Sequence, residues 1–326
     1  MILRSDAPPE PWTGRDDGPG AEHLRWHRTV GPWPDDPAPG TPALIGFRSD
    51  EGVRRNRGRP GAVDGPVALR AALASLALPP DGPSTVYDAG DVVVTGSDLE
   101  GAQQRLGAAV TAMLDHGHPV TVLGGGHEVA YGTYLGVAAS AAARGGARCG
   151  VLNLDAHFDL RADATPSSGT PFLQMARQEQ ALGRALRYAV VGIAQPSNTT
   201  ALFGTAAELG VRHLLDDECR IANLPDVETF VGEFLATVDL VHLTIDLDVL
   251  PAAVAPGVSA PAAFGVPLEV VQHVCDLVAR SGRLAVTDVA ELNPVFDIDE
   301  RTARTAARLV HRIVTGSPAG SPRGTP

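Results

Sequence analysis

The segment CGVLNLDAHFD, residues 149–159, decides how the rest of the chain is read. A short apolar run stops abruptly in aspartates and a histidine, as expected of a buried strand that delivers polar side chains at its carboxyl end. Five further runs share the pattern: ALIGF (43–47), VTVLGG (120–125), RYAVVGI (187–193), VDLVHLTIDLDV (238–249) and RLAVTDVAEL (283–292). Between them lie stretches of helical spacing, among them SDLEGAQQRLGAAVTAMLDHG (97–117), PLEVVQHVCDLVARSG (267–282) and DERTARTAARLVHRIV (299–314). Strands alternating with helices predict an α/β fold whose mainly parallel sheet is covered on both faces.

The 326 residues suffice for one large α/β domain, and no repeat or low-complexity linker divides the middle of the chain. Residues 1–41 are rich in proline, glycine and charge, yet hold Trp12, Trp26 and Trp33. An irregular segment packed on the domain is therefore expected there, with a single catalytic domain over 42–315. The tail GSPAGSPRGTP (316–326) has no apolar residue larger than alanine and is expected to be disordered.

Composition excludes several classes of chemistry. The net charge of −12 argues against a nucleic-acid or anionic-membrane partner, and no stretch resembles a membrane span or signal peptide, so a cytoplasmic protein is expected. All 26 basic residues are arginine. Without lysine there is neither a Walker A loop nor a Schiff base. Cys149, Cys219 and Cys275 are isolated and match no zinc or redox motif.

What remains is carboxylate, imidazole, hydroxyl or metal chemistry. In parallel sheets of this kind ligands bind beyond the carboxyl ends of the strands. There the sequence places His127 after a glycine run, Asp155, His157 and Asp159 after a second strand, and Asp246 and Asp248 after a third. In an extended chain residues two apart point the same way, which would align each set. Four aspartates in one crevice repel, and two divalent cations would cancel their charge. Mixed imidazole and carboxylate donors suit Mn²⁺, Fe²⁺, Co²⁺ or Zn²⁺, and such a pair would ready a shared water for attack on an electrophilic carbon. Any one motif alone is compatible with a capped loop; all three at successive strand ends are much harder to explain that way.

The motifs GGGHE, NLDAHFD, TIDLDVLPAAVAPGVSAP and VAELNP, in this order, resemble the signatures of the arginase–agmatinase–formimidoylglutamase family. The resemblance covers roughly residues 41–315. It implies a three-layer α/β/α fold with an eight-stranded parallel sheet and two Mn²⁺ ions, other divalent cations being possible. It further implies that His127, Asp155, Asp159 and Asp246 hold one ion and His157, Asp155, Asp246 and Asp248 the other. Glu291 would pair with the amidinium or guanidinium of a small-molecule substrate, and Asp159 would also act as acid and base. A homo-oligomer is expected by the same likeness.

Within the family, RSDEGVRRNRGRPGAVDGP (48–66) and SSGTPF (167–172) look like the formimidoylglutamase branch, which cleaves an amidine in histidine degradation. Ser168 stands where arginases and agmatinases usually carry a histidine. A substrate with two carboxylates wants cationic partners, and the forked guanidinium of arginine suits them. Arg54, Arg55, Arg57 and Arg161 are the candidates, with Ser167, Ser168 and Thr170 as hydrogen-bonding partners. His242, in step with residues 244, 246 and 248, is a candidate support for the centre. A guanidino-compound hydrolase that releases urea, or a metal-stabilised scaffold without activity, are the rival readings.

Overall fold

The structure is a computed structural model and describes residues 5–317. The tail expected to be disordered lies, from residue 318 on, outside the described residues. The strands are β1 (Val30–Pro32), β2 (Ala43–Arg48), β3 (Val86–Val93), β4 (Val120–Leu123) and β5 (Cys149–Leu154). They continue with β6 (Tyr188–Ile193), β7 (Arg212–Leu215), β8 (Leu240–Asp246) and β9 (Leu284–Ala290). They form one sheet in the order β1-β3-β2-β4-β9-β8-β5-β6-β7, with every pairing parallel.

The sheet therefore has nine strands among the described residues, not the eight implied by the resemblance. All six apolar runs are strands; β1, β3 and β7 were not legible. β1 and β7 are short edge strands, and β1 ends in a proline, which only an edge tolerates. In β3 the aspartates at 88 and 91 break the apolar run. A buried arginine neutralises them: Arg70 Nε donates to Asp88 Oδ2 at 2.8 Å and Nη1 to Asp91 Oδ1 at 2.6 Å.

The helices are α1 (Trp26–Thr29), α2 (Glu51–Arg55), α3 (Gly65–Ala74), α4 (Leu99–Asp115), α5 (Val129–Ala138) and α6 (Ala141–Arg144). After them come α7 (Pro171–Ala181), α8 (Thr200–Glu208), α9 (Leu224–Ala236), α10 (Leu268–Arg280) and α11 (Arg301–Gly316). Residues of α3, α9, α10 and α11 join one apolar layer, and those of α4, α5, α7 and α8 fill the opposite face. The strand period of two divides the sheet between them. Leu152 and Leu154 face the first layer and Val151 the second. Each such side chain, once fully buried, contributes about 1.5–3 kcal/mol.

The N-terminal segment adds Trp26, fully buried, which stacks on Trp12 with ring centroids 6.4 Å apart. Trp26 Nε1 donates to His311 Nδ1 at 3.0 Å. Cys219 and Cys275 are buried and unbridged, and Cys149 is half-buried.

Candidate metal centre

The four central strands β4, β9, β8 and β5 end side by side, and each supplies a polar group at its carboxyl end. Beyond β4 the glycines are a packing requirement. A Cβ at Gly125 would lie 1.9 Å from the Ser49 carbonyl oxygen, and one at Gly124 2.6 Å from that of Val289. The bare backbone lets the His127 loop settle between the ends of β2 and β9. Glu291 N then donates to Gly125 O at 2.8 Å, and His127 N donates to Glu291 Oε1 at 2.9 Å.

The residues after β5 do converge, but not by staying extended. The strand stops at Leu154 and the chain turns, with His157 N donating to Asp155 Oδ1 at 2.6 Å. Asn198 holds the turn: its Oδ1 accepts from Phe158 N at 3.1 Å, and its Nδ2 donates to the Ala156 and Ala194 carbonyls at 2.9 Å each. Asp159 closes the turn with φ at +48°, a left-handed conformation that an extended run never adopts. Asp248 likewise lies in a 3₁₀ turn after β8, its N–H donating to Asp246 Oδ1 at 2.9 Å. Turns, not strand alternation, bring these carboxylates together.

The result is two clusters of potential ligand atoms, each within 4.8 Å of one another: His127 with Asp155, Asp159 and Asp246, and His157 with Asp155 and Asp248. Asp155 is common to both, whereas Asp246 joins only the first. His127 Nδ1 lies 3.0 Å from Asp159 and 3.2 Å from Asp155 and Asp246. His157 Nδ1 lies 3.1 Å from Asp248.

The donor set fits divalent cations. Burial and the nearby Asp248 and Asp155 drive Asp246 well above the usual carboxylate range. Burial also pushes Asp159 and Asp248 upward, with Asp155 adding to both. Asp155 goes the other way: burial opposes its charge, but hydrogen bonds to His127 and His157 hold it below the usual carboxylate range. Protein charge alone thus opposes ionising the other three aspartates beside it, and positive ions among them would reverse that.

Behind His127 lies a chain of buried hydrogen bonds. Thr244 Oγ1 donates to Asp288 Oδ1 and lies 2.9 Å from His127 Nε2, while His242 Nε2 meets Asp288 Oδ2 at 2.5 Å. A hydroxyl that gives its proton to Asp288 must accept from His127 Nε2–H, which leaves Nδ1 as the ring nitrogen that faces the aspartates. His242 thus supports the centre through Asp288. Thr244 was detectable as an in-step neighbour of Asp246; Asn198, in AQPSNTT (194–200), carried no signal.

Glu291 sits beside the clusters with φ at +68°. Its Oε2 is buried without a hydrogen-bond partner, and burial, then the charge of Glu128, pushes the group up to about 8. A buried orphan carboxylate oxygen is a receptor for an N–H of a cationic ligand.

The candidate substrate residues separate clearly. Arg54 pairs with Glu51 and is exposed, and Arg57 is exposed at φ +63°. Arg55 is bound up with protein groups on every side. Arg161 is exposed and lies across Gly169, next to Asn56. Ser168 is buried and accepts from Asn56 Nδ2 at 3.1 Å. Ser167 and Thr170 bond to each other in the turn that starts α7.

Comparison with known proteins places this geometry. The model of the Arginase family matches residues 41–316. A formimidoylglutamase of Rhodococcus jostii (strain RHA1) is 65% identical over 308 residues, covering 94% of this chain and 96% of the relative. One of Ralstonia nicotianae is 51% identical over 318 residues, covering 96% and 97%. The crystal structure of Trypanosoma cruzi formiminoglutamase with Mn2+2 superposes with a TM-score of 0.73 at 27% identity, over 85% of this chain and 94% of that one. A Bacillus subtilis formimidoylglutamase shares the fold with a TM-score of 0.80 at 23% identity, over 94% and 95%. The family model spans most of the chain, and its relatives cover nearly all of it: this chain belongs to the arginase family.

Proposed function

We infer that this protein is a dimanganese hydrolase that cleaves N-formimidoyl-L-glutamate to L-glutamate and formamide. The observation that carries the amidine chemistry is the unpartnered Glu291 Oε2, buried beside two cation-ready clusters. The glutamyl part follows from the relatives named formimidoylglutamase.

His127, Asp155, Asp159 and Asp246 would hold one ion, and His157, Asp155 and Asp248 the other, to which the family resemblance adds Asp246. When bound, two Mn²⁺ supply the positive charge that offsets the aspartates and the Lewis acidity that makes a water reactive near neutral pH. Glu291 accepts an N–H of the amidinium through Oε2 while His127 N–H fixes Oε1, so the formimidoyl carbon is held in one place. Asp159, more exposed than the other three aspartates, receives the proton released on attack and passes it to the departing glutamate nitrogen. No histidine is available for that task at 168. Arg161 and Arg57, both exposed, draw the two carboxylates to the rim.

The same reading makes 42–315 one catalytic domain with 1–41 packed upon it, in a cytoplasmic homo-oligomer acting in histidine breakdown. No helix among the described residues is long and apolar enough to cross a membrane, and the charge of −12 speaks against nucleic acid as a partner. The test is protein loaded with Mn²⁺, its metal counted, then assayed on formimidoylglutamate and on a panel of guanidino compounds. Glutamate and formamide in equal amounts are expected. Urea from a guanidino compound as the dominant product would overturn the assignment.

A further inference from the structure

A guanidinium has five N–H donors in a fixed fork. Arg55 spends all five on the protein. Its Nε donates to Glu51 Oε1 at 2.8 Å; Nη1 donates to Glu100 Oε1 at 2.6 Å and to the Pro166 carbonyl at 3.0 Å; Nη2 donates to the Ser97 carbonyl at 2.7 Å and to Glu100 Oε2 at 3.3 Å. None is left for a ligand. The side chain joins three pieces of chain far apart in sequence: its own helix α2, the start of α4, and the loop 161–170 that follows the metal-site turn.

Residues 167–170 of that loop are buried and bonded among themselves, and two further bonds hold the rest. Arg161 N donates to Gly169 O at 2.9 Å across its neck, and Asn56, the residue after Arg55, donates to Ser168 Oγ at 3.1 Å. Residues 161–165 are exposed. At its other end α2 is held by the buried Glu128, whose Oε1 accepts from Ser49 Oγ at 2.6 Å and Gly52 N at 3.0 Å. α2 is therefore fixed to the His127 loop at one end and, through Arg55, to the Arg161 loop at the other.

We infer that Arg55 is a positioning residue: it sets the wall that receives the substrate's carboxylates without touching them. This rests on the reading of the substrate above. A direct carboxylate ligand and a brace make opposite demands on Glu100. If Arg55 bound substrate, removing Glu100 would free two of its donors and lower KM. If it braces the wall, removing Glu100 loosens the wall and raises KM.

The experiment uses the Mn²⁺-loaded enzyme with Glu100→Ala, Arg55→Ala and Arg55→Lys. Each is assayed on formimidoylglutamate and on an N-alkylformamidine that lacks carboxylates. Glu100 is half exposed, so its loss leaves the fold in place even where the Arg55 variants fail to fold. Glu100→Ala is expected to raise KM for formimidoylglutamate several-fold, and Arg55→Ala about ten-fold. The carboxylate-free amidine should lose far less, and Lys, which lacks the fork, should not rescue. An unchanged or lowered KM in Glu100→Ala overturns the proposal. Hydrogen exchange of residues 161–170 gives a second reading that needs no activity. Faster exchange in both Ala variants supports the brace, and unchanged exchange sinks it, even if the wild type were inert on formimidoylglutamate and the functional reading failed instead.

Discussion

Asp159 and Glu291, the two residues assigned proton transfer and amidinium binding, both have positive φ angles, +48° and +68°. Aspartate tolerates this region; glutamate rarely enters it, and such strain persists where surrounding contacts impose it. For Glu291 those contacts are its own N–H to Gly125 and its Oε1 to His127 N–H. Glu291→Gln keeps the second acceptor but loses the charge. It is expected to retain both metals while kcat/KM falls ~10–100-fold, the worth of a hydrogen bond to a charged group; steady-state kinetics with metal analysis on the same sample checks it. Thr244→Val leaves His127 Nε2 and Asp288 without their shared hydroxyl. Its metal affinity should weaken ~10–100-fold, as for other lost outer partners of metal ligands, and a Mn²⁺ titration with unchanged affinity would refute that role.

At the scale of elements, the centre is made by what happens just past four adjacent strands. The DAHFD turn hangs on Asn198, whose amide satisfies one N–H and two carbonyls inside the protein. Asn198→Asp cannot donate to those carbonyls. Each buried group left unpaired costs about 1–3 kcal/mol, so denaturant unfolding should show a loss of that order or more. Asp155 and Asp159 were legible as a pair at a strand end. The turn that aims them was not, because its anchor lies some forty residues away in a loop with no pattern of its own. The same holds for β3. Its two aspartates look hostile to a buried strand until Arg70, from another element, neutralises both.

At the scale of the molecule, the N-terminal segment docks on two neutral histidines. Trp26 donates to His311 Nδ1, and burial, then Arg308 and Arg312, holds His311 below its usual 6.5. His118 packs edge-on to Trp33 with centroids 5.0 Å apart, and burial likewise lowers it, aided by His116. Both take up protons more readily in the unfolded chain. Their contribution to stability is therefore full above about pH 6.5 and is lost as pH falls from there through their folded values. Thermal melts from about pH 8 down to about pH 5 should fall through this window, and His311→Gln, whose carbonyl can still accept from Trp26, should flatten the fall. A fall in His311→Gln as steep as in the wild type would refute the docking account.

The alternation of apolar runs with helical stretches determined the parallel α/β sheet by itself, because burial on both faces demands continuous apolar strands whatever surrounds them. The candidate ligand types and their place at strand ends were equally legible, since aspartate and histidine in such positions cost too much to be filler. Only the tertiary structure decided how those ligands are aimed, that His127 offers Nδ1, and that Arg55 has no donor to spare. Each of these depends on hydrogen bonds between residues distant in the chain, and a sequence does not record which distant groups will meet.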